Sequence, residues 1–138
     1  MPKLELYSVR DGKVQAQAGL NWGLANAHVN SEDAYIALTT AFFRQNSKFF
    51  PPHGSIINVI WDDGTRMQCL LEGTQTIGGI VYPKQLSSYS DKSIIGHYLR
   101  QRLGVTPTKQ IDMHDLDEYG RNNIDVSFDN NIYYFDFS

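Results

Sequence analysis

The chain has 138 residues, 41% apolar and 20% charged, with a formal net charge of −3. This composition belongs to a globular protein rather than a disordered one, and a chain of this length buries roughly two-thirds of the surface its unfolded form exposes, enough for one core and one domain over 1–138. No apolar run approaches the ~20 residues of a membrane helix, the start Met1-Pro2-Lys3-Leu4 has no secretory pattern, and the single Cys69 excludes an internal disulfide or cysteine-based zinc site while fitting a reducing cytoplasm.

Leu4 to Val9 alternates apolar and polar side chains, the period of a half-buried strand. Arg10-Asp11-Gly12-Lys13 reads as a tight turn, because Asp-Gly suits positive φ, and Val14 to Leu20 reads as the return strand. Gly19-Leu20-Asn21-Trp22-Gly23 then breaks the pattern, followed by Asn26, His28, Asn30 and Asp33 before a strand resumes at Ala34 to Leu38. Two glycines around an indole point to turns with positive φ or to a close backbone approach. The stretch is either a bulged hairpin with a packed tryptophan or a surface that reads another molecule. Thr39 or Thr40 caps a short helix from Ala41 to about Lys48, which Phe49-Phe50-Pro51-Pro52 ends.

Ser55 to Trp61 is a buried strand, Asp62-Asp63-Gly64-Thr65 a hairpin turn, and Arg66 to Leu71 its partner. Glu72 to Gly79 has little apolar content, Ile80 to Pro83 is a short strand, and Lys84 to Ser90 a polar loop. Ser90 or Asp91 caps the clearest helix, Lys92 to Leu103. Ile95, Tyr98, Leu99 and Leu103 form its apolar face and Gly104 ends it. Lys109 to Met113 is expected as a strand, His114 to Tyr119 as a helical turn, and Ile124 to Phe128 with Ile132 to Phe137 as a last hairpin. The sum is a mainly β fold with short returns, a largely antiparallel sheet and two short helices. Closure into a barrel hides its edges.

Catalytic chemistry finds little footing. His28, His53, His97 and His114 lack the spacing of a zinc motif, and Cys69 sits mid-strand as a small hydrophobe. Gly73 to Gly79 lacks the Lys-Ser/Thr of a P-loop. Asp62-Asp63 is explained by its turn. No catalytic residue, metal or cofactor is expected, and a binding module is the better class.

Two polar loops stand out, Asn21 to Asp33 and Glu72 to Ser88. Their amides, hydroxyls and cations match base edges and phosphates, and equally a sugar or peptide. The acidic balance argues mildly against nucleic acid, but its distribution softens that. Lys84, Lys92, Arg100, Arg102 and Lys109 face only Asp91 between 81 and 110, whereas seven acids face Arg121 alone after 110.

Gly19-Leu20-Asn21-Trp22-Gly23 with Asn30 and Ala34-Tyr35-Ile36 resembles the C-terminal region of NgoFVII-like restriction endonucleases. So do Phe49-Phe50-Pro51-Pro52, the Asp62-Asp63-Gly64 turn, Tyr98 to Gly104, Tyr119-Gly120-Arg121 and Tyr134 to Ser138, in order along nearly the whole chain. The resemblance implies a seven-stranded open pseudobarrel, similar to plant B-three transcription-factor domains. It also implies a wrench-like grip on a short double-stranded site in the major groove. Cleavage would belong to a separate nuclease domain or subunit, phospholipase D-like or other, whose His-x-Lys signature this chain lacks. The recognition domain itself would be monomeric, metal-free and part of a bacterial cytoplasmic restriction system. Carried onto this chain, an N-arm at about 10–35 would offer Arg10, Asn21, Trp22, Asn26, His28, Asn30 and Asp33. A C-arm at about 72–90 would offer Gln75, Thr76, Tyr82, Lys84, Gln85, Ser87 and Ser88, with Arg100 and Arg121 as phosphate contacts. A carbohydrate- or peptide-binding barrel is the alternative class, and a small metal-dependent nuclease a third.

Overall fold

In the computed structural model, which describes residues 1–27 and 29–138, the alternating runs pair as one sheet. Its strands are β1 (Lys3–Glu5), β2 (Ile36–Ala37), β3 (Ile56–Trp61), β4 (Arg66–Glu72), β7 (Gln85–Ser88), β8 (Asn123–Asp129) and β9 (Ile132–Asp136). The order is β1-β8-β9-β3-β4-β7-β2. Every pair is antiparallel except β3 with β9. The edge strands β1 and β2 come to lie against each other, so the sheet curls into a nearly closed, seven-stranded pseudobarrel. A separate two-stranded ribbon, β5 (Gln75–Ile77) with β6 (Ile80–Tyr82), is inserted between β4 and β7.

The period of two places Ile57, Val59 and Trp61 of β3, Cys69 and Leu71 of β4, Leu86 of β7, Ile124 and Val126 of β8, and Tyr133 and Phe135 of β9 in the barrel. The helices plug its two ends. At one, α1 (Thr40–Gln45) brings Phe42 and Phe43 onto Phe49, Phe50 and Tyr82, with ring centroids 4.6 to 5.8 Å apart. Thr39 caps α1 as its hydroxyl predicts, accepting from the Phe42 amide at 3.1 Å. At the other, α2 (Ser93–Leu103) and α3 (Met113–Tyr119) bury Ile95, Leu99 and Leu116. Asp91 accepts from the Ser93 amide at the start of α2, and Gly104 ends it at φ +73°.

Three expectations are corrected. Lys84 to Ser90 is not a loop: Gln85–Ser88 is β7, a strand paired on both sides, with both its serines buried. Val14 to Leu20 is not a strand. Only Ser8 and Lys13 bridge, and the chain passes into two single turns of 3-10 helix, Gly19–Asn21 and Gly23–Ala25. Lys109 to Met113 is irregular because Asp112 and Asp115 form a reciprocal capping box that starts α3 there, giving three helices instead of two.

Candidate nucleic-acid interface

The segment linking β1 to β2 lies outside the sheet, and its backbone is satisfied by its own turns together with a few buried side chains. Asn21 is fully buried. Its amide donates to the carbonyls of Gln15 at 2.9 Å and Ile111 at 2.8 Å and accepts from the Ile111 amide at 2.8 Å. Arg100 is also buried and donates to the carbonyls of Leu20 and Lys109, both at 3.3 Å. Burial without a carboxylate in contact holds its pKa below the ordinary guanidinium value. Neither faces solvent, so neither offers its polar atoms to a partner in this conformation, and Arg100 does not present a phosphate contact. Asn26 donates to the Trp22 carbonyl at 2.7 Å, closing a turn.

Glycine is required at two contacts here. A Cβ on Gly23 would stand 2.2 Å from the Asn30 carbonyl oxygen, and one on Gly96 of α2 would stand 1.6 Å from that of Glu32. The segment therefore lies directly on α2, where His97 Nδ1 and Glu32 Oε2 meet at 2.9 Å. Trp22 is half-buried, with the Lys92 ammonium 5.7 Å from the centre of its ring. Asp33 is half-buried as well; desolvation, then the nearby Asp91, raise its pKa. Asn30 is exposed, its side-chain oxygen taking the Glu32 amide at 2.8 Å. Arg10 extends into solvent with its side chain 90% exposed, beside Asp11. His28, expected in this group, lies outside the described residues.

The second segment is built around the β5–β6 ribbon. Gln75 is a structural clamp: its amide donates to the carbonyls of Leu38 at 2.7 Å and Pro83 at 2.8 Å, tying the ribbon to the barrel. Tyr82 faces inward and stacks on Phe43 at 4.6 Å. Ser87 and Ser88 are buried, the Ser88 hydroxyl accepting from the Ile95 amide and donating to the Asp91 carbonyl. These four therefore look inward. Thr76 and Lys84 are exposed and Gln85 is partly so.

The strand directions fix where the two segments stand. β4 and β7 are antiparallel, as are β7 and β2. The β4-to-β7 insertion therefore leaves the barrel at one end of the strands and the β1-to-β2 insertion at the other. Beside them, along the β1–β2 seam, runs an open groove of about 940 Å³. Lys3, Tyr7, Arg10, Gln15, Tyr35 and Thr39 are among its lining residues. The hold of Gln75 on Leu38 brings the ribbon next to the Thr39 end of the groove.

Charge divides across the molecule in a way the sequence distribution did not foretell. Most cations of 81–110 are engaged internally: Lys92 with Glu72, Arg102 with Asp62, Lys109 with Asp112 and Asp115. Arg121 pairs with Asp125 at 3.0 Å and Asp136 at 3.8 Å, so its guanidinium is held within the protein. Among the described residues Lys13, Arg44, Lys48, Arg66 and Lys84, besides the buried Arg100, form no ion pair. Lys13 sits in the first insertion, Lys84 at the base of the second, and Arg44 and Lys48 in and just after α1. Most acids of the C-terminal third lie instead on α3, β8 and β9.

Among the described residues, no three His, Cys, Asp or Glu side chains group to hold a metal. Cys69 is buried, its pKa pushed up to about 12 by desolvation, so at neutral pH it is a thiol and a poor nucleophile. No helix is long and apolar enough to cross a membrane.

A family model, the NgoFVII C-terminal B3-like DNA-binding domain, matches residues 3–129. No curated protein matches the chain. The match takes in all of the barrel except its last strand, together with both insertions and the groove. The chain belongs to this family of DNA-binding domains.

Proposed function

From that membership we propose that the chain is the sequence-specific recognition domain of a restriction endonuclease. It spans 1–138 and acts in the bacterial cytoplasm beside a nuclease domain or subunit. The observation that carries this reading is the placement of two insertions at opposite ends of one open seam, with unpaired cations on both. The barrel strands β3 and β4, of six and seven residues, are about 20 Å long, so insertions at opposite ends of the barrel stand far enough apart to take a duplex that crosses the groove between them.

The residues that remain available divide by chemistry. Lys13, Lys84, Arg44, Lys48 and Arg10 suit phosphates, which set affinity and orientation. Asn30, Asp33, Thr76, Gln85 and Trp22 would meet base edges or sugar. Asn21, Gln75, Tyr82, Ser87, Ser88 and Arg100 hold the two arms in shape, which lowers the cost of ordering them on binding.

Selection from a random-sequence duplex pool tests the proposal. A consensus of ~5–7 base pairs is expected, with affinity falling steeply as salt rises. A pool that stays random at low salt overturns it. Lys84→Ala should weaken all duplexes alike and lower the salt slope by about one; an unchanged slope removes Lys84 from the interface. Gln85→Ala should relax one base position at a cost of ~1–3 kcal/mol if it makes a paired contact.

A further inference from the structure

The β5–β6 ribbon ends in a feature that polar recognition does not use. Ile80 is 57% exposed and Val81 54% exposed. Both stand next to the Gly78-Gly79 turn, whose φ values of +56° and +81° suit a two-residue hairpin and leave the tip without side chains. Ile80 lies across from Ile77 and Val81 across from Thr76, so the two aliphatic groups point to opposite faces of the ribbon. The base of the ribbon is fixed by Gln75 and by the stacking of Tyr82 on Phe43, while Ile77 leans on the core. The tip is thus a narrow, firmly mounted wedge carrying two branched apolar groups in water. A short exposed ribbon is ordinarily kept safe from unwanted pairing by charge or proline, and this one has neither at its tip.

A two-stranded ribbon fits the major groove of B-form DNA. The apolar group that base pairs present there is the C5 methyl of thymine. We propose that the tip enters the groove end-on and that Ile80 and Val81, one on each face of it, are specificity-determining residues that read thymine methyl groups to either side, with Lys84 at the foot of the ribbon drawing it to the phosphates. This inference rests on the DNA-recognition reading above and adds to it the kind of base that the second arm selects.

The test replaces each thymine of the selected duplex in turn by deoxyuridine, which removes the methyl and leaves every hydrogen-bonding group in place. For the unaltered protein at least one replacement should weaken binding about fourfold, the worth of one buried methyl. Ile80→Ser or Val81→Ser, which leaves no methyl group to meet the thymine, should abolish that difference at the same position. Both sites are exposed, and a melting curve verifies that the variants fold. A site without thymine, uracil tolerated at every position, or a uracil penalty unchanged in both variants overturns the inference. A pool that yields no consensus overturns the DNA-recognition reading itself, and this inference with it.

Discussion

Arg102 donates to the Asp62 carboxylate at 2.9 and 3.2 Å, to the hydroxyls of Tyr98 at 2.6 Å and Tyr119 at 2.9 Å, and to the Phe137 carbonyl at 2.8 Å. Asp62 in turn accepts the Phe137 amide at 2.7 Å. One planar fork thus joins the β3–β4 turn, α2, α3 and the end of β9, and it neutralises the first acid of the Asp62-Asp63 pair. Lysine cannot reproduce five donors in a plane. Arg102→Lys should lower unfolding stability by roughly 2–3 kcal/mol, below the cost of breaking a fully buried pair because both side chains keep some solvent. Urea denaturation checks this, and DNA binding by the folded fraction should be unchanged. Asp125 gives a pH prediction. The Lys3 ammonium, then Arg121, hold its pKa below the ordinary 3.8. The folded state therefore binds fewer protons than the unfolded state between the two values. Its stabilisation is fully present above about pH 5 and is lost as pH falls through the lowered value. Asp125→Asn should reduce stability near pH 7 and flatten the further loss as pH falls below about 5, read as urea midpoints.

At the scale of elements, the two arms are held by different devices. The first leans on α2 so closely that Gly96 leaves no room for a methyl group beside the Glu32 carbonyl. Gly96→Ala should push residues 30–34 off the helix, with a stability loss of at least ~1–3 kcal/mol from overpacking and faster amide exchange across 19–35. The second is held by the Gln75 amide and by the stacking of Tyr82 on Phe43. Gln75→Ala should leave the barrel's melting temperature nearly unchanged and speed amide exchange in 75–82; equal exchange in both proteins would show that Tyr82 alone holds the ribbon. These elements also mark what the sequence could reveal. Thr39, Gly104 and Asp-Asp-Gly are local signals whose chemistry acts within a few residues, and each sits where it was expected. The strand over 85–88 was hidden because its neighbours in the sheet come from 36–37 and 69–72, and serines in a fully paired strand look like loop residues. The irregular course of 14–20 was hidden for a similar reason: the Gln15 carbonyl is met by the Asn21 side chain, which is itself held by the backbone of Ile111, ninety positions away.

At the scale of the molecule, amides and cations crowded into irregular segments carry two meanings that sequence cannot separate. Asn21 and Arg100 satisfy buried carbonyls, whereas Asn30 and Lys84 face water, and only burial distinguishes them. The apolar tip at Ile80 and Val81 was passed over for the opposite reason, since a short aliphatic run reads as core. What emerges is a barrel whose acids are gathered mainly on the α3, β8 and β9 side and whose free cations lie mainly on the two arms and α1. The most direct test of the two-armed grip is amide hydrogen exchange with and without the selected duplex. Protection should rise together in 10–35 and 72–85 and stay unchanged in α3 and β8–β9; protection confined to one arm, or centred on β8–β9, would contradict the account.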